Sequence, residues 1–145
     1  MKPHLNTLVA ILILVGAFTI SAHAQTAGAQ RVVANIPFAF NVGDTNLPAG
    51  KYTITVLNPT SDRKILQIRN TKGASATVLT TAVTGNVSDD AKLVFQRYGD
   101  QYFFAQAQMA GDSTTFSALK SNAERAQSQA IAVTRKQRVV VLVAE

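Results

Sequence analysis

Cysteine and tryptophan are absent from this chain of 145 residues, and histidine occurs only twice, at His4 and His23. Without cysteine no disulfide cross-links the fold, so packing and hydrogen bonds alone must hold it together. The lipid-anchored lipoprotein type, which needs a cysteine at its processing site, is excluded on the same ground. Also missing are a Walker A pattern, a G-x-G-x-x-G pattern and the D-x-D-x-D-G spacing of a calcium loop, so no motif argues for a nucleotide or a metal.

The two histidines lie in a segment with its own signature. Lys2 and His4 form a short basic region, Leu5 to Ile20 is predominantly apolar, and Ala22 and Ala24 place small side chains where a signal peptidase requires them. This pattern predicts a secretory signal peptide over residues 1–24, cut between Ala24 and Gln25. Its strongly apolar part, Leu8 to Ile20, is about 13 residues long, short of the roughly 20 that a spanning helix needs. The expected location is therefore outside the cytoplasm, in the periplasm or the medium, with no integral membrane segment after cleavage.

Cleavage at Ala24 removes every histidine. Nucleophilic triads depend on a base poised near neutral pH, most often His, and the common zinc sites depend on His or Cys. The processed chain has neither, so the sequence argues for a non-catalytic protein with no cofactor. The carboxylates do not revive catalysis. Asp89 and Asp90 are adjacent and would point to opposite faces of a strand, while Asp44, Asp62, Asp100 and Asp112 sit in turn segments where Asp caps its own backbone.

The rest of the chain reads as β-structure. Residues 25–30 are small and polar, a flexible segment, and a single β-rich domain is expected over 31–145. From Val32 to Val42 the apolar residues share one parity, the period of a strand with one buried face. Pro37 interrupts this run and cannot donate a ladder hydrogen bond, which predicts an edge strand or a bulge. Strands follow at Lys51 to Leu57, Arg63 to Asn70 and Ala74 to Thr84. Lys92 to Tyr98 and Gln101 to Gln106, joined by Gly99-Asp100, form the clearest hairpin signal, because Gly supplies the positive φ that a primed turn requires. Alternation in the second of these runs assigns Phe103, Ala105, Ala107 and Met109 to the buried face.

Ser121-Asn122-Ala123-Glu124 fits a capping box and predicts a helix over about 122–132. A last, valine-rich strand is expected over about 138–144. Six to seven strands with one short C-terminal helix indicate a mostly antiparallel all-β domain, either a sandwich or a small barrel.

Three surfaces are candidates for function. Tyr98 and Tyr102 flank the tight hairpin and, with Arg97, offer a ligand or carbohydrate platform, the alternative being a plain cross-strand aromatic pair. Arg135, Lys136 and Arg138 form the densest basic cluster, suited to an anionic envelope polymer or to a solvated face. Val139, Val141 and Val143 lie on a strand that either closes a sheet beside the first strand or pairs with another chain. The net charge of +6 would favour nucleic acid, but the cations are scattered rather than interleaved with aromatics, and export argues against it.

The ordered motifs Ile36-Pro37-Phe38-Ala39-Phe40-Asn41-Val42-Gly43, Leu47-Pro48-Ala49-Gly50-Lys51-Tyr52, Phe95-Gln96-Arg97-Tyr98-Gly99-Asp100-Gln101-Tyr102-Phe103 and Ser121-Asn122-Ala123-Glu124-Arg125 carry a resemblance. Over about Val32 to Arg125 the chain resembles a family of small secreted proteins of unknown function that are numerous in acidobacterial genomes. The resemblance implies an exported β-domain and supplies no activity. The chain departs from the family in having Gln96 where His is common, and in its valine-rich tail. The leading expectation is thus an exported, non-catalytic β-domain that binds or assembles at the cell envelope, its partner a polymer or another chain. A carrier of an apolar or sugar ligand inside a barrel comes second, and a carboxylate-dependent envelope hydrolase third.

Overall fold

The computed structural model describes residues 30–131 and 136–143. The expected signal peptide, residues 25–29, Arg135 and the last two residues lie outside them. Among the described residues there are ten strands and one helix, so the protein is all-β with a single C-terminal helix, as the periodicity implies. The strands are β1 (Arg31–Ile36), β2 (Phe40–Val42), β3 (Thr45–Leu47), β4 (Gly50–Val56), β5 (Arg63–Asn70), β6 (Ser75–Thr84), β7 (Lys92–Tyr98), β8 (Gln101–Gln108), β9 (Thr114–Ala118) and β10 (Lys136–Leu142). The helix α1 spans Asn122–Ala130.

Ten strands, against six to seven expected, have two causes. The run from Val32 to Val42 breaks at Pro37, where the chain leaves the ladder; β1 stays with β4, and β2 crosses to meet β8. Two segments outside the expected strands, Thr45–Leu47 and Thr114–Ala118, are short strands of their own, each burying one apolar residue, Leu47 and Phe116.

All ten strands belong to one sheet. Starting from β1 the order is β4, β5, β6, β9, β8, and from β8 it continues through β7 to β10. The edge of β8 away from β7 is shared, Gln106 to Gln108 pairing with β9 and Phe103 with Asn41 of β2. Every pairing is antiparallel except the contact of β2 with β8. The path from β1 to β10 takes an odd number of antiparallel steps, so these two end strands run antiparallel to each other. They approach within 8 Å between Cα atoms, yet no ladder joins them among the described residues.

The core lies on one face of this sheet. Val32, Ala34 and Ile36 of β1, Tyr52, Ile54 and Val56 of β4, Leu66 and Ile68 of β5, and Ala76 and Val78 of β6 alternate inward. Leu93 and Phe95 of β7, Phe104 and Ala107 of β8, Phe40 and Val42 of β2, Leu47 of β3 and Phe116 of β9 join it. Phe95 is at its centre, edge-on to Phe38, Phe40 and Phe104 at ring distances of 5.2, 5.3 and 5.9 Å. The β10 side chains Val139, Val141 and Val143 pack partly buried against the same core.

One expectation about the buried face needs correcting. A bulge in β8, placed by the register shift between Val94 and Phe95, leaves Ala105 as an extra residue and reverses the parity of the strand. Ala107 and Met109 are inside as the alternation implies, but Phe104 rather than Phe103 joins them. Phe103 turns to the opposite face, where it is 2% exposed beside Tyr98, with a ring distance of 5.8 Å.

The Gly99-Asp100 loop forms as read, with Gly99 at φ 62. A Cβ on Gly99 would sit 3.5 Å from Ile131 Cδ1, an ordinary contact, so only the backbone opposes a side chain there. Gly99→Ala is expected to lower stability by about 1–2 kcal/mol, the cost of a left-handed L-residue. Urea unfolding measures it, and a neutral substitution would mean that the turn relaxes to another type.

Candidate functional site

The register of the β7–β8 hairpin decides the fate of the proposed aromatic platform. Tyr98 pairs with Gln101 and Arg97 with Tyr102. Neighbours on a strand face opposite ways, so Tyr98 and Tyr102 lie on different faces and the platform does not form. The two-residue loop already carried this signal, since it sets Tyr98 opposite Gln101. Tyr102 turns towards the core and stacks on Phe38 at 4.0 Å, with the Arg97 guanidinium 5.4 Å from its ring centre. Arg97 also donates from Nε to the Gly99 carbonyl at 2.7 Å and lies 3.6 Å from the Asp100 carboxylate. Asp100, one of the turn carboxylates, is fully exposed beside it.

Tyr98 has a different role. It is 2% exposed and its hydroxyl donates to Glu124 Oε1 at 3.1 Å. Glu124 is itself 5% exposed and is the one buried residue of α1. Ser121 caps the helix as expected, its hydroxyl accepting from the Glu124 N–H at 3.1 Å. The Glu124 side chain reaches down to the sheet instead of back to the cap, so the reciprocal half of the capping box is given up for the bond to Tyr98. Burial, the Glu124 charge and the hydrogen bond to it together raise the Tyr98 pKa from 10.0 to about 12. A further tie at the helix start is Asp44 in the β2–β3 turn, whose carboxylate accepts from the Ala123 N–H at 3.3 Å.

The valines of β10 point the other way from a sticky face. Val139, Val141 and Val143 turn inward, while Val140 and Leu142 are 48% and 63% exposed on the outer side. The strand pairs with β7 along its length rather than with β1. Among the described residues its second edge has no partner strand, and the hydrogen-bond phase shows which groups face it. Val143 N–H donates to the Ala91 carbonyl, so in this antiparallel ladder Val140 and Leu142 hold the alternate, outward-facing positions. By the same argument from Val56 N–H and the Gln30 carbonyl, the N–H and C=O groups of Arg31, Val33 and Asn35 face away from β4.

Beside the open edge of β1 lies a cleft of about 1310 Å³. Arg31 to Asn35 form one wall, and Asp89, Asp90, Asp112 and Val143 contribute to the others. The loops opposite are tied together: Gly111 N–H donates to the Ser88 carbonyl at 2.8 Å, and Ser88 Oγ to the Asp90 carbonyl at 2.8 Å. Gln30 Nε2, also in the lining, donates to Asp112 Oδ2 at 2.6 Å.

Of the basic cluster, Arg135 lies outside the described residues. Lys136 Nζ is 5.9 Å from the Tyr98 ring centre, and Arg138 Nη2 donates to Gln106 Oε1 at 3.2 Å. Both are exposed on the outer face of β10. Among the described residues no group of three or more His, Cys, Asp or Glu could hold a metal ion, and no helix is long and apolar enough to cross a membrane. No family model, curated protein or solved structure matches the chain.

Proposed function

We propose that this chain acts outside the cytoplasm as a non-catalytic module that joins another protein chain by strand pairing, a second copy of itself being the first partner to test. The observation that carries the reading is the sheet left open between β1 and β10, which run antiparallel and, among the described residues, each keep an unpaired edge. We read the sheet as a small barrel that stops one pairing short of closure. Open edges with unbonded N–H and C=O groups are templates for a further strand. Lys136 and Arg138 guard the start of β10, whereas Val139 to Leu142 carry no charge that would repel a partner.

Carriage of a ligand inside the barrel has less support. Tyr52, Phe40, Phe95 and Phe116 occupy the interior with at most 1% exposure each, filling the space that a carrier would keep for its cargo.

Deleting everything after Lys136 would strip three valines from the core, so proline is the better probe. At Val140 proline removes an N–H that β7 does not use. The full chain is expected to elute as a dimer or larger species in size exclusion with light scattering. The Val140→Pro variant is expected to elute as a monomer with an unchanged far-UV spectrum. A monomer in both cases up to the highest attainable concentration overturns self-assembly through this edge.

A further inference from the structure

On the outer face of the sheet, beside α1, a separate groove of about 210 Å³ gathers Gln96, Gln106, Ser117, Lys120, Lys136 and Arg138. They come from β7, β8, β9, the β9–α1 connection and β10, so only the folded sheet assembles them. Arg138 lies directly across from Gln96, and Gln106 across from Ser117. A hydrogen-bond row runs between them: Arg138 Nη2 donates to Gln106 Oε1 at 3.2 Å, and Gln106 Nε2 donates to Ser117 Oγ at 3.1 Å.

This row sets the orientation of the Gln106 amide. Gln106 presents its oxygen to Arg138 and its amide nitrogen to Ser117. The Ser117 oxygen therefore accepts, and its own hydrogen is free to point into the groove. Arg138 spends one of its donors on Gln106 and retains the rest of its fork. Among the described residues Lys120, Lys136 and Arg138 have no carboxylate within 4.0 Å. The acidic member of the lining, Glu124, is 5% exposed and engaged by the Tyr98 hydroxyl. Ala105, the bulge residue, and Ala118 also line it, and neither brings a charge.

We propose that this groove is a binding site for one oxyanion carried on a hydroxyl-rich residue, that is, a carboxylate- or phosphate-bearing sugar of an acidic polysaccharide. Three cations converge on a space well below the roughly 300–1,000 Å³ of sites for drug-sized ligands, so it suits a single acidic residue of a chain rather than a folded partner. Guanidinium and ammonium groups take the oxyanion, while the Gln96 amide and the Ser117 hydroxyl suit the neighbouring sugar hydroxyls. Tyr98 and Phe103, the aromatics of this face, are buried, which leaves no exposed ring in the groove for a nucleobase to stack on. The oxyanion chemistry stands by itself; placing its source in an envelope or extracellular polymer rests on the reading that the chain is exported.

The test is calorimetric titration of the full chain with oligogalacturonate, a phosphorylated oligomannan, neutral dextran and vesicles containing phosphatidylglycerol. Saturable binding to at least one acidic oligomer and none to dextran is expected, and which oligomer binds separates carboxylate from phosphate. The combined Lys120→Gln, Lys136→Gln, Arg138→Gln variant should bind roughly tenfold more weakly or worse. A control with the same charge loss at exposed sites, Arg63→Gln, Arg69→Gln, Lys72→Gln, should bind as the parent does. Should the groove variant fail to fold, amide shifts of the unaltered chain on titration must concentrate at Gln96, Gln106 and Ser117. Equal losses in the two triple variants would reduce the effect to net charge and overturn the site. So would binding to vesicles only, no binding to either acidic oligomer, or shifts spread over the whole surface. None of these outcomes depends on whether β10 pairs with another chain.

Discussion

Phe95→Ala is expected to remove about 3–5 kcal/mol of stability, the range for deleting a buried aromatic side chain. Phe95 is fully buried, and three other rings lean on it edge-first at 5.2–5.9 Å. Edge-to-face contacts add to the area each ring buries. The void has little chance to collapse, because β7 is held by β8 on one side and by β10 on the other. Val139, opposite Phe95 on β10, loses its neighbour at the same time. Set against a typical domain stability of about 5–15 kcal/mol, the variant would be marginal or unfolded at ambient temperature. Urea denaturation followed by far-UV dichroism reads the loss directly. A cost under about 1 kcal/mol would contradict the close packing of this cluster.

Tyr98 makes stability fall in strong alkali. Its folded pKa stands at about 12 against 10.0 for the free side chain. A phenol whose pKa rises on folding favours the protonated native state. Its contribution is fully present below pH 10, and it is lost as pH climbs from 10 through 12. Two pH units correspond to about 3 kcal/mol. The Tyr98→Phe variant is expected to lose this dependence while sacrificing roughly 1 kcal/mol at neutral pH, because the Glu124 carboxylate forfeits its donor. Burial also raises the pKa of Tyr52, with the Asn70 hydrogen bond opposing it. Tyr52 is common to parent and variant, so the difference between the two urea series reads Tyr98. Parallel series from pH 8 to 12 would show that Tyr98 is not sealed beneath α1.

Much of the fold was legible because its determinants are local. Alternation at Tyr52, Ile54 and Val56 marked the buried face of β4, Gly99 marked the tight turn, and Ser121 marked the start of α1. Pro37 pointed to an edge strand or a bulge, whereas the chain leaves the ladder there and divides into β1 and β2. The surfaces proposed for function were less legible. One inserted residue at Ala105 exchanged the roles of Phe103 and Phe104, and a count of residues through the Gly99-Asp100 loop was needed to part Tyr98 from Tyr102. Lys120 carried no signal of its own; it joins Lys136 and Arg138 only because β9 and β10 lie on either side of the β7–β8 hairpin.

The sequence by itself determined a cysteine-free, strand-rich chain with one late helix, because period-two alternation, turn glycines and helix caps act over a few residues. Its reading of residues 1–24 as a secretory signal peptide rests on equally local features. The tertiary structure alone decided that β10 pairs with β7 and, among the described residues, not with β1. It also decided that Glu124 turns from its cap to Tyr98, and that cations distant in sequence share one groove. Strand order and register are set by which side chains pack together once the whole sheet has formed, and no short window of sequence contains that information.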